Sequence, residues 1–263
     1  MNFPESLSAA APIEGGFALT VPEGWHQGRT AYGGFSSALA LSAAQQLGGA
    51  GLPPLRSVAV SFVGPLYGSI EVGARLLRQG KNATWIAVEI TRDGEVGMTA
   101  TFVFMGSIAS TVYLNNRPVP DGLIPVEQAL PVPFSLVTPM FLKQFFEARF
   151  AVPRDTSTPP RAEVCWWVRL KDHGSQDMMA GLLLLADALP PGIMPLADRS
   201  MPVSSMNWQA NLLSPALTTH DGWWLARSSA DYAEHGCSSQ LMDIWNAEGV
   251  PVMSGMQSIA VFG

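Results

Sequence analysis

The chain has 263 residues, 48% of them hydrophobic, which suits two modest domains or one large one with a sizeable core and excludes a disordered protein. The net charge is -6 and the 15 basic residues are scattered, so no run could neutralise adjacent phosphates, and nucleic acid is not an expected partner. Two cysteines, Cys165 and Cys237, form neither a metal-binding spacing nor a disulfide framework and read as small core residues of a protein in a reducing compartment.

Met1 to Glu5 lacks the basic and apolar regions of a signal peptide. The longest apolar stretch, Met178 to Leu185, falls far short of the roughly 20 residues that span a bilayer. A soluble cytoplasmic protein with no membrane partner is expected.

In chain order, Phe17 to Val21 reads as a strand and Gly33 to Leu47 as a helix rich in small residues. Val58 to Val63, Ile70 to Arg78, Thr84 to Thr91 and Val96 to Phe104 follow as strands, each rich in β-branched and aromatic residues. Alternate apolar positions in the first two predict a sheet with one covered face, and Asp93-Gly94 predicts a tight hairpin, so the strands should form an antiparallel meander.

The second half repeats this plan. Glu163 to Leu170 is a strand and Asp177 to Leu189 an apolar helix, followed by strands at Val203 to Leu213, Trp223 to Ser229, Ser238 to Trp245 and Val250 to Phe262. Arg78-Gln-Gly80 corresponds to Glu234-His-Gly236, and Asp93-Gly94 to Glu248-Gly249, as expected of an internal repeat.

Nine of the 21 prolines fall between Ser107 and Pro160. Proline cannot donate to a sheet ladder, so this stretch reads as a linker over the surface. The expected organisation is an N-terminal half over 1–108, a Pro-rich linker over 109–139 and a C-terminal half over 140–263. Phe145 to Phe150 reads as the opening strand of the second half, with a helix as the competing assignment. One apolar helix per half, without a clear polar face, suits an antiparallel sheet curled around a central helix.

No Gly-x-Ser-x-Gly elbow or Cys/His pair is present, and the four histidines match no metal-binding pattern, so neither covalent catalysis nor a metal site is expected. Gly33 and Gly34, after Tyr32, open the first helix. Glycines there would let an anion or polarised carbonyl approach unpaired backbone N–H groups, or would simply permit tight packing. Asn207, Ser229 and Gln257 are polar side chains within apolar strands, and such groups must find hydrogen-bond partners, a held water among them.

The chain resembles the acyl-CoA thioesterase II family of double hotdog proteins over almost its full length. The resemblance is carried, in order, by Tyr32-Gly33-Gly34, Pro65, Arg78-Gln-Gly-Lys81, Glu147-Ala-Arg149, Trp167-Val-Arg169 and Leu185-Ala-Asp187. It implies an α+β fold, a double hotdog in which two antiparallel sheets, each wrapped around a helix, join into one continuous sheet. It also implies hydrolysis of an acyl-CoA thioester by an oriented water at the interface of the halves, with no cofactor beyond the CoA of the substrate.

In that family an Asp, a Thr or Ser, and a Gln hold the water. The resemblance places Asn207, Ser229 and Gln257 at those positions, with Gly33, Gly34 and Tyr32 on the oxyanion side. A neutral amide cannot serve as a general base, so Asn207 implies a slow enzyme, another base, or a binder of acyl-CoA or lipid that does not turn over. Asp187 and Asp231 are the nearby carboxylates, read first as a helix cap and a solvated turn residue. A hotdog hydratase acting on enoyl-CoA would need an Asp/His pair, and Asp172 with His173, adjacent on an extended strand, would point to opposite faces. Exposed sheet edges favour further pairing into a homo-oligomer.

Overall fold

The computed structural model describes residues 1–153, 160–175, 177–197, 201–215 and 217–262, so residues 154–159 of the Pro-rich stretch lie outside the described residues. The elements run α1 (Phe3–Ser8), β1 (Ala11–Ile13), β2 (Gly16–Thr20), β3 (His26–Gln27), β4 (Thr30–Ala31), α2 (Gly33–Gly48), β5 (Leu55–Phe62), β6 (Ser69–Gln79), β7 (Ala83–Arg92) and β8 (Glu95–Met105). There follow α3 (Met140–Phe145), β9 (Phe146–Phe150), β10 (Glu163–Leu170), α4 (Met178–Ala186), β11 (Val203–Leu212), β12 (Trp224–Glu234), β13 (Cys237–Asn246) and β14 (Pro251–Val261).

Twelve strands form one antiparallel sheet in the order β1-β2-β6-β7-β8-β5-β11-β14-β13-β12-β10-β9. Read from its centre, the order repeats: β5, β8, β7, β6, β2 on one side match β11, β14, β13, β12, β10 on the other. The halves join where β5 pairs β11, with Trp208 opposite Val60 and Ala210 opposite Val58. The internal repeat is thus a structural one, and the seam is an ordinary ladder.

Strand alternation puts one face of this sheet on the core. In β7, Thr84, Ile86, Val88 and Ile90 are buried, and in β8 Met98, Ala100, Phe102 and Phe104 join them. Both long helices lie on that face. Within α2 the small residues Ser36, Ser37, Ala38, Ala40, Ala43 and Ala44 are buried, and α4 buries Leu182 to Leu185. Small side chains let α2 lie close against α4 and the sheet, so the two halves share one continuous core.

The Pro-rich stretch does more than run over the surface. Val119, Leu123, Ile124, Val126 and Ala129 pack on the opposite face of the C-terminal sheet, over Trp167, Leu225 and Trp245, as a second core. Among the described residues the stretch meets the sheet edge only in an isolated bridge, Pro131 opposite Arg149 of β9, yet its apolar neighbours still bury. The Trp167 indole donates to the Ile124 carbonyl at 2.8 Å and that of Trp245 to the Arg117 carbonyl at 3.0 Å. Below them Asp243, 2% exposed, takes the guanidinium of Arg227 at 2.7 Å and that of Arg117, which anchors the linker.

The strand expected over Phe145 to Phe150 forms as β9 from Phe146, and α3 precedes it over Met140–Phe145. Phe145 stacks on Trp25 with centroids 4.0 Å apart, and Phe141 on Tyr32 at 3.8 Å, so α3 packs into the first half. Trp25 also stacks on Phe35 at 5.0 Å and is 1% exposed. Trp25→Ala should therefore lower unfolding free energy by about 3–5 kcal/mol, read by urea denaturation.

Candidate active site

A cleft of about 410 Å³ opens along the seam. The first half supplies Thr30, Gly33, Ser36 and Phe62 to its wall, and the second supplies Asp187, Ser205 and Gln257. Two local features bring these together. The start of α2 meets the end of α4, where the Tyr32 hydroxyl donates to the Leu184 carbonyl at 2.7 Å. On the sheet side, Gln257 of β14 points from the covered face toward the same junction.

Both glycines at the start of α2 are required by this approach. A Cβ on Gly34 would sit 2.6 Å from the Leu184 carbonyl oxygen, and one on Gly33 would sit 2.5 Å from Asp187 Oδ2. Gly34 is therefore a packing position, and Gly33 lies in the cleft wall against the Asp187 carboxylate. The first N–H groups of a helix have no intrahelical acceptor, and the N-terminal end of its dipole favours an anion.

Asp187 caps the C-terminal end of α4 and is the carboxylate of the cleft. Its Oδ1 accepts from Gln257 Nε2 at 3.0 Å. Burial pushes its carboxyl up to about 6, against the opposing pull of the bonds from Gln257 and Gly34. Burial, and then the Asp187 charge, hold the Tyr32 phenol well above its ordinary value, so it stays a donor to Leu184.

Gln257 is 4% exposed and makes three hydrogen bonds. Besides Asp187, its Nε2 donates to Ser205 Oγ at 2.8 Å, and its Oε1 accepts from Gln240 Nε2 at 2.7 Å. With its Oγ accepting, the Ser205 hydroxyl hydrogen is free to point at a ligand in the cleft.

The remaining residues singled out from sequence lie elsewhere. Asn207 is exposed, with its buried neighbour Trp208 on the core side. The reason is a β-bulge: the register of β11 against β14 shifts between Ser205 and Asn207, so Ser205 turns toward Gln257 and Asn207 away from it. Ser229 pairs with exposed Leu241, whereas Ser228, fully buried, faces inward opposite Met242. Tyr32 is buried among aromatic rings rather than presented to the cleft. Asp231 is exposed. Of the polar triplet, Gln257 alone reaches the cluster.

Ser205 and Gln240 were not singled out. Gln240 carries the same signal as Gln257, an amide inside a buried strand, and Ser205 was hidden by the bulge.

An antiparallel sheet of twelve strands wrapped around two helices, with a polar cleft at the seam, is a double hotdog. The sequence profile of the acyl-CoA thioesterase N-terminal domain matches residues 21–105 and that of the C-terminal domain matches residues 120–261. The chain belongs to the acyl-CoA thioesterase family.

Solved structures agree on the fold. A candidate thioesterase II of Thermobifida fusca YX has a TM-score of 0.81 at 22% identity, covering 100% of this chain and 98% of that one. A protein of unknown function with hot dog fold from Alicyclobacillus acidocaldarius has a TM-score of 0.82 at 19% identity, covering 100% and 99%. The acyl-CoA thioesterase II TesB2 of Mycobacterium marinum has a TM-score of 0.72 at 16% identity, covering 98% of each chain. No curated protein matches.

The helix junction yields a direct expectation. Gly34→Ala drives a methyl group into the backbone of α4 and should destabilise the fold by about 2–3 kcal/mol, measured as a fall in Tm.

Proposed function

We propose that the protein hydrolyses acyl-CoA thioesters with Asp187 as general base. The observation that carries this reading is a half-buried carboxylate, pushed up to about 6, in the wall of a cleft shared by both halves. A base of that affinity is largely ionised at pH 7 and still takes a proton readily. It also answers the difficulty of Asn207: the acid is carried on α4 and not on β11.

The thioester carbonyl would lie at the start of α2, where Gly33 leaves the backbone open and the Ser205 hydroxyl can donate to the carbonyl oxygen. Water held against Asp187 attacks the carbonyl carbon as the carboxylate takes its proton. The tetrahedral oxyanion collapses, the C–S bond breaks, and Asp187 returns the proton to the departing thiolate. The products are the free acid and CoA thiol. Gln257 keeps the Asp187 carboxylate oriented throughout.

Release of free thiol from a panel of acyl-CoAs tests the activity. Turnover of at least one chain length is expected, and binding without turnover of any would overturn hydrolysis in favour of a binding role. Asp187→Asn should reduce kcat/KM by about a hundredfold or more. The acid limb of the kcat/KM profile should fall as pH drops through about 6, because protonation removes the base. Asn207→Asp, on the exposed face, should leave kcat/KM within about twofold of the parent chain.

A further inference from the structure

We propose that Gln240 is a positioning residue for the Asp187 carboxylate, acting through the Gln257 amide whose orientation it sets. This rests on the reading of Asp187 as the base. Gln240 is 1% exposed and is not part of the cleft wall, so it acts only through its neighbours.

The argument is one of hydrogen-bond direction. An amide side chain can be turned over at little steric cost, exchanging its oxygen and nitrogen. Turned over, Gln257 would present its oxygen to the Asp187 carboxylate, acceptor against acceptor. It is held the other way because its Oε1 takes a hydrogen from Gln240 Nε2 at 2.7 Å. Gln240 could itself turn over, but its Oε1 accepts from the Gly192 backbone N–H at 3.0 Å, and a backbone donor has only one sense.

A single polarity thus runs from Gly192 through Gln240 and Gln257 to Asp187 Oδ1 at 3.0 Å and Ser205 Oγ at 2.8 Å. Gly192 is suited to its end of the chain, since a Cβ there would meet Ala230 N at 2.6 Å and Ser228 O at 2.9 Å. Two buried glutamines that merely satisfied each other would need no sense. Here both hydrogens of Gln257 are delivered to polar groups of the cleft wall, Asp187 and Ser205.

Asp187 is electrostatically isolated enough for this to register. Neither α2, β11 nor β14 carries a titratable side chain. Tyr32, buried and bonded to Leu184, is near enough to feel the carboxylate charge, and Arg29 stands in the cleft wall.

The test is the titration of the Asp187 carboxyl, followed by side-chain 13C NMR in four chains: parent, Gln240→Met, Gln257→Met and the double variant. Gln240→Met should raise the titration midpoint by about half a pH unit or more, because the carboxylate loses an oriented donor. In the Gln257→Met background it should add nothing. An unchanged midpoint, or equal shifts in both backgrounds, would overturn the proposal.

Turnover gives a second readout: Gln240→Met should lower kcat about tenfold with KM within twofold, and have no effect beside Gln257→Met. Should Gln240→Met not fold, Gln240→Glu keeps the Gly192 bond and donates to Gln257 only while protonated. Its kcat should then show an alkaline loss that the parent lacks, and a profile identical to the parent's counts against the proposal. If no acyl-CoA is hydrolysed, the proposed function fails, while the Asp187 titration still decides the role of Gln240.

Discussion

The ladder between β5 and β11 is the constraint on which the molecule depends. Pairing two central strands edge to edge places both helices on one face of one sheet, at a spacing set by the ladder itself. Only then does the start of α2 meet the end of α4, and only at that meeting do Gly33, Asp187, Ser205 and Gln257 share a wall. A Tyr32 hydroxyl on a backbone carbonyl and two glycines that admit no Cβ are what such proximity demands of the sequence.

The junction also explains why a carboxylate survives there. Burial alone would favour a neutral acid, and the C-terminal end of α4 repels negative charge. The first turn of α2 and the Gln257 amide offset this, so the group stays poised between its forms. The pseudo-symmetric junction, where α4 begins, is built differently: Asp177 caps its own helix and meets Gln45 at an exposed 3.5 Å. Only one of the two related junctions is desolvated.

Much of the architecture was legible because strand signals are local. The β-branched and aromatic residues of Thr84 to Thr91 and Val96 to Phe104, and the turn at Asp93-Gly94, place β7 and β8 to within a residue or so. Short elements such as α1 and β1 carry too few residues to show a period: α1 is held by its Asn2–Glu5 capping box and by Phe3 against Phe35, and β1 by pairing with β2. At the site the loss is different in kind. Counting along β11 assumes an unbroken register, and the bulge at Met206 breaks it, so the count arrives at Asn207 when the inward residue is Ser205. Gln257 was found by the same counting, because the extra residue of the bulge sits on β11 and β14 runs on through Gln257 to Ile259. Asp187 read as a helix cap because nothing local reveals that another helix begins beside it.

The seam lies within a single chain, and this bears on how its cleft persists at low concentration. Two separate hotdog subunits would dissociate on dilution and lose any site between them. Here residues 119–129, packed over Trp167 and Trp245, pin the connection onto the C-terminal half. Each half therefore experiences its partner at a fixed effective concentration, however little of the protein is present. Tethering also releases the halves from identity: one can keep a desolvated acid at its helix junction while the other gives that position to a solvated cap.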